Sequence, residues 1–197
     1  MATFLVLYGT GEGQTEKVAT HIGDVLIDRG HGATTVDVNE VPPDLAIDDF
    51  DAIIVGASIH AGKHQPSVRK FVTANRDALS TKPTAFFQVS LSSADEGGEA
   101  QAASYVEAFI EATDWHPDRI GLFGGALRYT EYGFLKRLVM KQIAKRKVTE
   151  MPNADSAGDI EFTDWDEVEA FAADVAAFVE GRLGITPPAA DDRAELE

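Results

Sequence analysis

The sequence predicts an α/β fold in which a doubly wound parallel sheet of five strands is covered by helices on both faces. Five short apolar runs lack the polar alternation of half-exposed strands, which is typical of a sheet buried on both sides. Helical patterns separate most of these runs, and strands that alternate with helices are joined by right-handed crossovers. The 197 residues suit one domain with a full apolar core.

The strands are predicted where the apolar runs lie. The first run, residues 4–8, reads Phe-Leu-Val-Leu-Tyr and ends at a glycine-rich turn. The other runs are similarly short and are bounded by glycine, proline or polar residues. The five predicted strands are Thr3–Tyr8, Ala33–Val38, Ala52–Ala57, Thr84–Ser90 and Ile120–Gly124.

Helices are predicted where apolar residues recur at helical spacing. In the first helix Val18, Ile22 and Leu26 lie on one face, and in the last an apolar face runs from Val168 to Val179. Each face is wide enough to pack against a sheet. The four predicted helices are Gln14–Asp28, Pro66–Asn75, Glu99–Thr113 and Trp165–Leu183.

The turn between the first strand and the first helix, residues 9–15, reads Gly-Thr-Gly-Glu-Gly-Gln-Thr. Backbone N–H groups, hydroxyls and a helix N-terminus in this arrangement bind a phosphate. No lysine follows, and Gln14 interrupts the G-x-G-x-x-G spacing, so one phosphomonoester is favoured over a triphosphate or a dinucleotide. An ordinary polar connection is the alternative. The candidate phosphate-binding residues are Thr10, Gly11, Glu12, Gly13, Gln14 and Thr15, with the Glu12 carboxylate directed away from the anion.

Small and hydroxyl-bearing residues also follow the third, fourth and fifth predicted strands. Ligands of such sheets bind outside the carboxyl ends of the strands, where the winding reverses. Small residues leave room there for a planar ring, and hydroxyls offer donors to its polar edge. Plain turns are the alternative. The candidate ring-contacting residues are Ser58, Ile59, His60, Gly62, Gln88, Ser90, Leu91, Ser92, Gly125, Ala126 and Leu127.

Composition excludes several classes of protein. There are no cysteines, so disulfides, thiolate metal sites and cysteine nucleophiles are excluded. The 33 acidic and 17 basic residues give a net charge of −16, which argues against general nucleic-acid binding and suggests a salt-adapted source. No apolar run reaches the roughly 20 residues of a membrane span and no signal peptide is evident, so we expect a cytoplasmic protein.

No set of catalytic side chains stands out in the sequence, and the catalytic residues stay unknown. Neither a Ser-His-Asp order nor a G-x-S-x-G string is present. His60 and His64 lie four residues apart without further ligands nearby, so no metal site is predicted. His21 and His31 flank the first helix and are expected at the surface. The chemistry is therefore expected to belong to a cofactor.

Several short strings resemble known families. Residues 10–15, with Thr10, Gly13 and Thr15, resemble the FMN phosphate loop of flavodoxin-like proteins. In addition, strings at 12–15, 55–59, 117–119, 125–129 and 163–165 resemble, in the same order, the menaquinone-dependent protoporphyrinogen IX dehydrogenase family. The resemblance runs from about residue 3 to about residue 182. It implies the flavodoxin-like strand order 2-1-3-4-5 and FMN as the cofactor.

The resemblance also implies a function. It implies an FMN-dependent enzyme that takes hydrogen from protoporphyrinogen IX and passes electrons to a quinone at the cytoplasmic membrane face. A flavodoxin-type electron carrier is the alternative, since an acidic surface suits docking to basic patches of a redox partner protein. An FMN-binding scaffold without enzymatic activity is a third hypothesis.

One segment departs from the acidic composition. Residues 128–147 hold seven of the 17 basic residues and one acid, Glu131. They are predicted to form an inserted helix after the fifth strand, with an apolar face and a basic face. Such a helix binds a membrane surface, a partner or the propionates of a tetrapyrrole, and packing on its own sheet is the alternative. The candidate contact residues are Arg128, Tyr129, Phe134, Lys136, Arg137, Leu138 and Lys141.

The predicted organisation is one flavodoxin-like domain over residues 1–183. An insertion at about 128–160 carries the basic helix, and residues 184–197 form a loose acidic tail. The expected partners are a quinone or a redox partner protein, a tetrapyrrole substrate and, through residues 128–147, the membrane surface.

Overall fold

Five parallel strands form the central sheet of the computed structural model, which describes residues 1–91, 98–124, 126–127 and 160–185. Their order is β2-β1-β3-β5-β6, and the two-residue strand β4 pairs antiparallel with the end of β3. Strands β7 and β8 form a separate antiparallel pair. The strands are β1 (Thr3–Gly9), β2 (Gly32–Asp37), β3 (Ala52–His60), β4 (Lys63–His64), β5 (Thr84–Ser90), β6 (Arg119–Gly124), β7 (Ala126–Leu127) and β8 (Ile160–Glu161).

Helices cover both faces of this sheet. Alternate residues of β1 point to opposite faces, so Phe4 and Val6 pack with α1 and α5, whereas Leu5 and Leu7 pack with α2 and α4. The long last helix begins at Asp164, whose carboxylate accepts hydrogen bonds from the N–H groups of Asp166 (3.0 Å) and Glu167 (3.3 Å). The helices are α1 (Gln14–Asp28), α2 (Pro66–Ala74), α3 (Arg76–Leu79), α4 (Glu99–Thr113) and α5 (Trp165–Leu183).

This architecture confirms the predicted fold class. With the short β4 set aside, the observed order is the expected 2-1-3-4-5 of the five long strands. The largest boundary difference is at β3, which continues to His60 because its end pairs with β4, whereas the sequence indicates a loop after Ala57. The predicted bounds of β1, β2, β6 and α2 differ from the observed ones by one residue at one or both ends. The predicted basic helix, the acidic tail beyond residue 185, Ser92 and Gly125 lie outside the described residues.

None of the helices in the described part of the chain combines the length and the apolar character needed to cross a bilayer.

Candidate cofactor site

The parallel register brings the ends of four strands to one edge of the sheet. Gly9 pairs with Ala57, Ala57 with Gln88, and Gln88 with Leu122 across β1, β3, β5 and β6. The turns that follow these strands therefore start side by side, as the sequence predicts. This edge lies where the winding reverses between β1 and β3, the usual ligand position of a doubly wound sheet.

The turn at residues 10–13 is shaped by a glycine and a threonine. Gly13, which precedes α1, has a φ of 85°, a left-handed conformation that favours glycine. Its N–H donates to the Thr10 hydroxyl oxygen at 2.8 Å, which closes the turn. No side chain of the described residues caps the start of α1. The first turn of the helix therefore directs N–H groups and partial positive charge toward the space in front of the N-terminus of α1.

Two polar atoms beside this turn are buried without a hydrogen-bond partner among the described residues. They are the Thr15 hydroxyl oxygen and Gln65 Oε1. A buried polar group left unpaired costs about 1–3 kcal/mol. Gln65 also lies close to the turn, because a Cβ placed on Gly9 would be 2.6 Å from its Oε1. Both atoms are suited to pair with a polar ligand bound at the turn, and in this respect the residues fit FMN.

Hydrogen bonds connect α1 to β6, an edge strand of the sheet. The Gln14 Nε2 group donates to the Thr163 hydroxyl at 2.8 Å, and that hydroxyl donates to the Gly124 carbonyl at 2.8 Å. Gly124 has no room for a side chain, since a Cβ there would overlap the Phe162 carbonyl. The Gln14 side chain therefore positions the turn, and its backbone N–H stays a predicted phosphate contact.

The loop predicted after the third strand is a tight hairpin. Its two-residue turn places Ala61 at φ 49° and Gly62 at φ 76°, with His60 paired to Lys63 across it. Two successive positive φ angles characterise the type I′ turns that match the twist of antiparallel strands. The hairpin approaches α4, because a Cβ on Gly62 would lie 3.9 Å from the Tyr105 hydroxyl oxygen.

His64 fixes this hairpin to the sheet. Its Nε2–H donates to Gln88 Oε1 at 2.8 Å, and Gln88 Nε2 donates to the Ala102 carbonyl at 3.1 Å. The imidazole packs edge-on against Phe86 and Phe109, with ring centroids 5.6 and 4.8 Å away. Burial lowers the pKa of His64 to about 4, although its hydrogen bond to Gln88 opposes the shift. The side chain is therefore neutral at pH 7.

The pKa of His64 predicts an acid-sensitive contribution to stability. The unfolded side chain, with a pKa near 6.5, binds more protons than the folded one with its pKa of about 4. The contribution is therefore complete above about pH 6.5 and is lost as the pH falls to about 4, on the order of 3 kcal/mol in all. We expect His64→Gln to flatten the pH dependence of the unfolding free energy in this window, measured by chemical denaturation.

The matched control for this change is His116→Gln, because His116 is exposed. It should leave the pH dependence as it is in the unchanged chain. An equal slope for the unchanged chain and the His64→Gln variant would contradict the assignment.

A cavity of about 880 Å³ opens beside the turn at residues 10–13. Five predicted site residues, from the turn and the hairpin, line it together with residues of α2 and α4. Among the described residues the lining consists of Thr10, Gly11, Glu12, His60, Gly62, Lys63, His64, Gln65, Pro66, Arg69, Tyr105, Ala108, Phe109 and Ala112.

The other predicted ring contacts have different surroundings. Gln88 and Ser90 are buried in β5, and the Gln88 side chain supports His64 instead of lining the cavity. Ser58 is half-buried beside the half-buried Ile59, and its hydroxyl accepts from Gln65 Nε2 at 2.8 Å, whereas Leu91 is exposed. Ala126 and Leu127 form β7.

The sequence analysis does not indicate Thr163 or the cavity residues that come from β4, α2 and α4, and it does not indicate Gln65. Gln65 reaches the turn because the hairpin reverses the chain ahead of α2, and no local pattern indicates that reversal. Thr163 meets Gln14 from 149 positions away. Within residues 1–91, 98–124, 126–127 and 160–185, no three His, Asp or Glu side chains are grouped so as to hold a metal ion.

Several known proteins resemble this chain in sequence. Residues 5–153 match the family described as Flavodoxin domain. Protoporphyrinogen IX dehydrogenase (quinone) of Escherichia coli strain K12 is 31% identical over 173 residues, covering 87% of this chain and 93% of that protein. The protein of the same name from Leishmania major is 31% identical over 175 residues, covering 88% of this chain and 74% of that protein.

Solved structures agree in fold. A short-chain flavodoxin associated with a bacterial microcompartment superposes with a TM-score of 0.54 at 15% identity, covering 91% of this chain and 99% of that one. A flavodoxin from the domain Archaea gives a TM-score of 0.51 at 17% identity, covering 90% and 99%. The cofactor of this chain is FMN, and the unpaired polar atoms at the turn fit it. The chain belongs to the flavodoxin domain family and, within it, groups with proteins named protoporphyrinogen IX dehydrogenase (quinone).

Proposed function

We propose that this FMN-dependent oxidoreductase oxidises protoporphyrinogen IX and delivers the electrons to a quinone. The proposal rests on relatives of that name that are 31% identical over 87% of the chain or more. The cavity beside the turn at residues 10–13 includes five predicted cofactor contacts and also extends along α2 and α4. Its volume of about 880 Å³ is within the range of small-molecule sites.

The residues of the turn would hold the FMN phosphate. The Thr10 and Thr15 hydroxyls and the N–H groups at the start of α1 would donate to the phosphate, and the helix would supply partial positive charge. Gln65, fixed by Ser58, would offer an acceptor for a hydroxyl of the cofactor chain. The phosphate would thus be bound by neutral donors, since the turn contains no lysine.

The remaining residues would orient the reactants. FMN supplies the redox chemistry when it is bound, and the protein supplies position and electrostatics. The hairpin held by His64 forms one wall of the cavity, and α4 forms another with Tyr105 and Phe109. For each pair of electrons and protons that the tetrapyrrole loses, one quinone becomes a quinol, so the reaction balances without a further reactant.

A flavodoxin-type electron carrier is the second candidate. The net charge of −16 favours it, because an acidic surface docks to basic patches on partner proteins. The carrier would transfer electrons between proteins and would show no turnover with a tetrapyrrole.

Steady-state turnover under anaerobic conditions distinguishes the two functions. With FMN-loaded protein, protoporphyrinogen IX and menaquinone, porphyrin fluorescence should rise at a rate proportional to protein concentration and should require the quinone. An equal rise without quinone would remove the proposed acceptor. No rise above that of the protein-free control would favour the carrier.

A further inference from the structure

The cavity beside the cofactor turn has an apolar wall and an uneven distribution of charge. The α4 residues Tyr105, Ala108, Phe109 and Ala112 supply the apolar wall. Lys63 of β4 and Arg69 of α2 supply two cations, and Glu12 is the only carboxylate in the described lining. The His64 imidazole is neutral, because burial keeps its pKa at about 4. The described lining therefore holds more cations than carboxylates, within a strongly acidic chain.

Arg69 differs from the other arginines in the described ranges. Arg29, Arg76, Arg119 and Arg182 each lie within 3.6 Å of a carboxylate oxygen. Arg69 has no such partner among the described residues, although acidic residues outnumber basic ones by 33 to 17. Lys63 likewise forms no ion pair there. The two cations that line the cavity are thus available to an anionic ligand.

The chemistry of the lining defines the ligand class. An apolar wall with two free cations suits a flat, largely apolar molecule that carries carboxylates. A guanidinium binds a carboxylate through two parallel hydrogen bonds, and an ammonium adds a point charge. The phosphate of FMN has its own donors at the turn, so these cations are not needed for it.

We propose that Lys63 and Arg69 form a carboxylate-binding subsite that holds the propionate side chains of the tetrapyrrole. This inference rests on the proposed function and deepens it, because it assigns the anionic groups of the substrate to named residues. It also predicts that a tetrapyrrole with esterified propionates binds equally well when these two side chains are replaced.

Porphyrin binding to the FMN-loaded protein tests the subsite without turnover. Protoporphyrin IX and its dimethyl ester are titrated into the unchanged chain and into Lys63→Gln, Arg69→Gln and Lys70→Gln variants, with quenching of protein fluorescence as the readout. Lys70 is the matched control, since it is exposed on α2 and does not line the cavity. We expect Lys63→Gln and Arg69→Gln each to weaken binding of the diacid about 5- to 20-fold and to leave the ester unaffected. Lys70→Gln should change neither.

Three results would overturn the subsite. The first is unchanged diacid binding in both variants, or no diacid binding by the unchanged chain. The second is an equal loss for the diacid and the ester, which would indicate altered packing instead of a lost charge. The third is weaker binding of FMN with riboflavin binding unchanged, which would assign the cations to the cofactor phosphate. A charge-dependent loss in a protein that does not oxidise protoporphyrinogen IX would instead refute the proposed function and leave the subsite standing.

Discussion

Replacement of Thr15 by valine is expected to weaken FMN binding about 10- to 100-fold while riboflavin binding stays unchanged. The Thr15 hydroxyl is fully buried and has no hydrogen-bond partner among the described residues. A hydrogen bond to a charged group contributes about 1.5–3 kcal/mol, which corresponds to this range of dissociation constants. Riboflavin lacks the phosphate and therefore does not depend on the hydroxyl. The apoprotein is titrated with each flavin, and fluorescence quenching gives both affinities.

The same substitution should not destabilise the apoprotein. Valine keeps the shape of threonine and removes a polar group that the folded apoprotein leaves unpaired, so the unfolding free energy should stay the same or rise. Thr20→Val is the matched control, because Thr20 is exposed on the same helix. An equal loss of affinity for FMN and riboflavin would contradict the assignment of Thr15 to the phosphate.

His31→Ala is expected to lower the unfolding free energy of the apoprotein by about 3–5 kcal/mol. The buried imidazole lies 2.9 Å from Glu180 Oε1 and accepts a hydrogen bond from the Ala2 N–H at 3.2 Å. It also packs edge-on against Phe4. Alanine would remove the hydrogen bond to the buried Glu180 carboxylate, which would keep Arg29 at 3.6 Å as an ion-pair partner. Loss of a hydrogen bond to a buried charged group, together with a cavity, costs this much.

A second variant tests the cause of that loss. The double change His31→Ala with Glu180→Leu removes the buried charge as well, so it should recover part of the lost stability. Because His31 and Ala2 lie at the amino ends of the strands, the FMN affinity of the folded protein should not change in either variant. Chemical denaturation gives the free energies. A loss below about 1 kcal/mol for His31→Ala would contradict this account.

The sequence predicts the framework well because its signals are local. The apolar runs and helical spacings place α1, α4, β5 and α5 at their observed bounds, and the glycine-rich turn lies where predicted. These features depend on residues within one element, so each can be recognised from its own segment.

Features that depend on distant contacts were not predictable. His31 was expected at the surface, and this is wrong: it is buried because the start of β1, the start of β2 and the end of α5 converge on it. The hairpin after β3 carries Ala61 in a left-handed conformation, so its turn lacks the usual Asn-Gly or Gly-Gly signal. Gln65 lies beside the turn at residues 10–13 because that hairpin reverses the chain. The cavity therefore depends on tertiary contacts, whereas the turn at residues 10–13 depends on its local sequence.

The most direct test of the proposed function is a single anaerobic half-reaction. FMN-loaded protein is mixed with an excess of protoporphyrinogen IX, and the visible absorbance of the flavin is followed together with porphyrin fluorescence. We expect the flavin absorbance to bleach as porphyrin forms and to return when menaquinone is added. A flavin that dithionite bleaches but protoporphyrinogen IX leaves fully coloured would contradict the account.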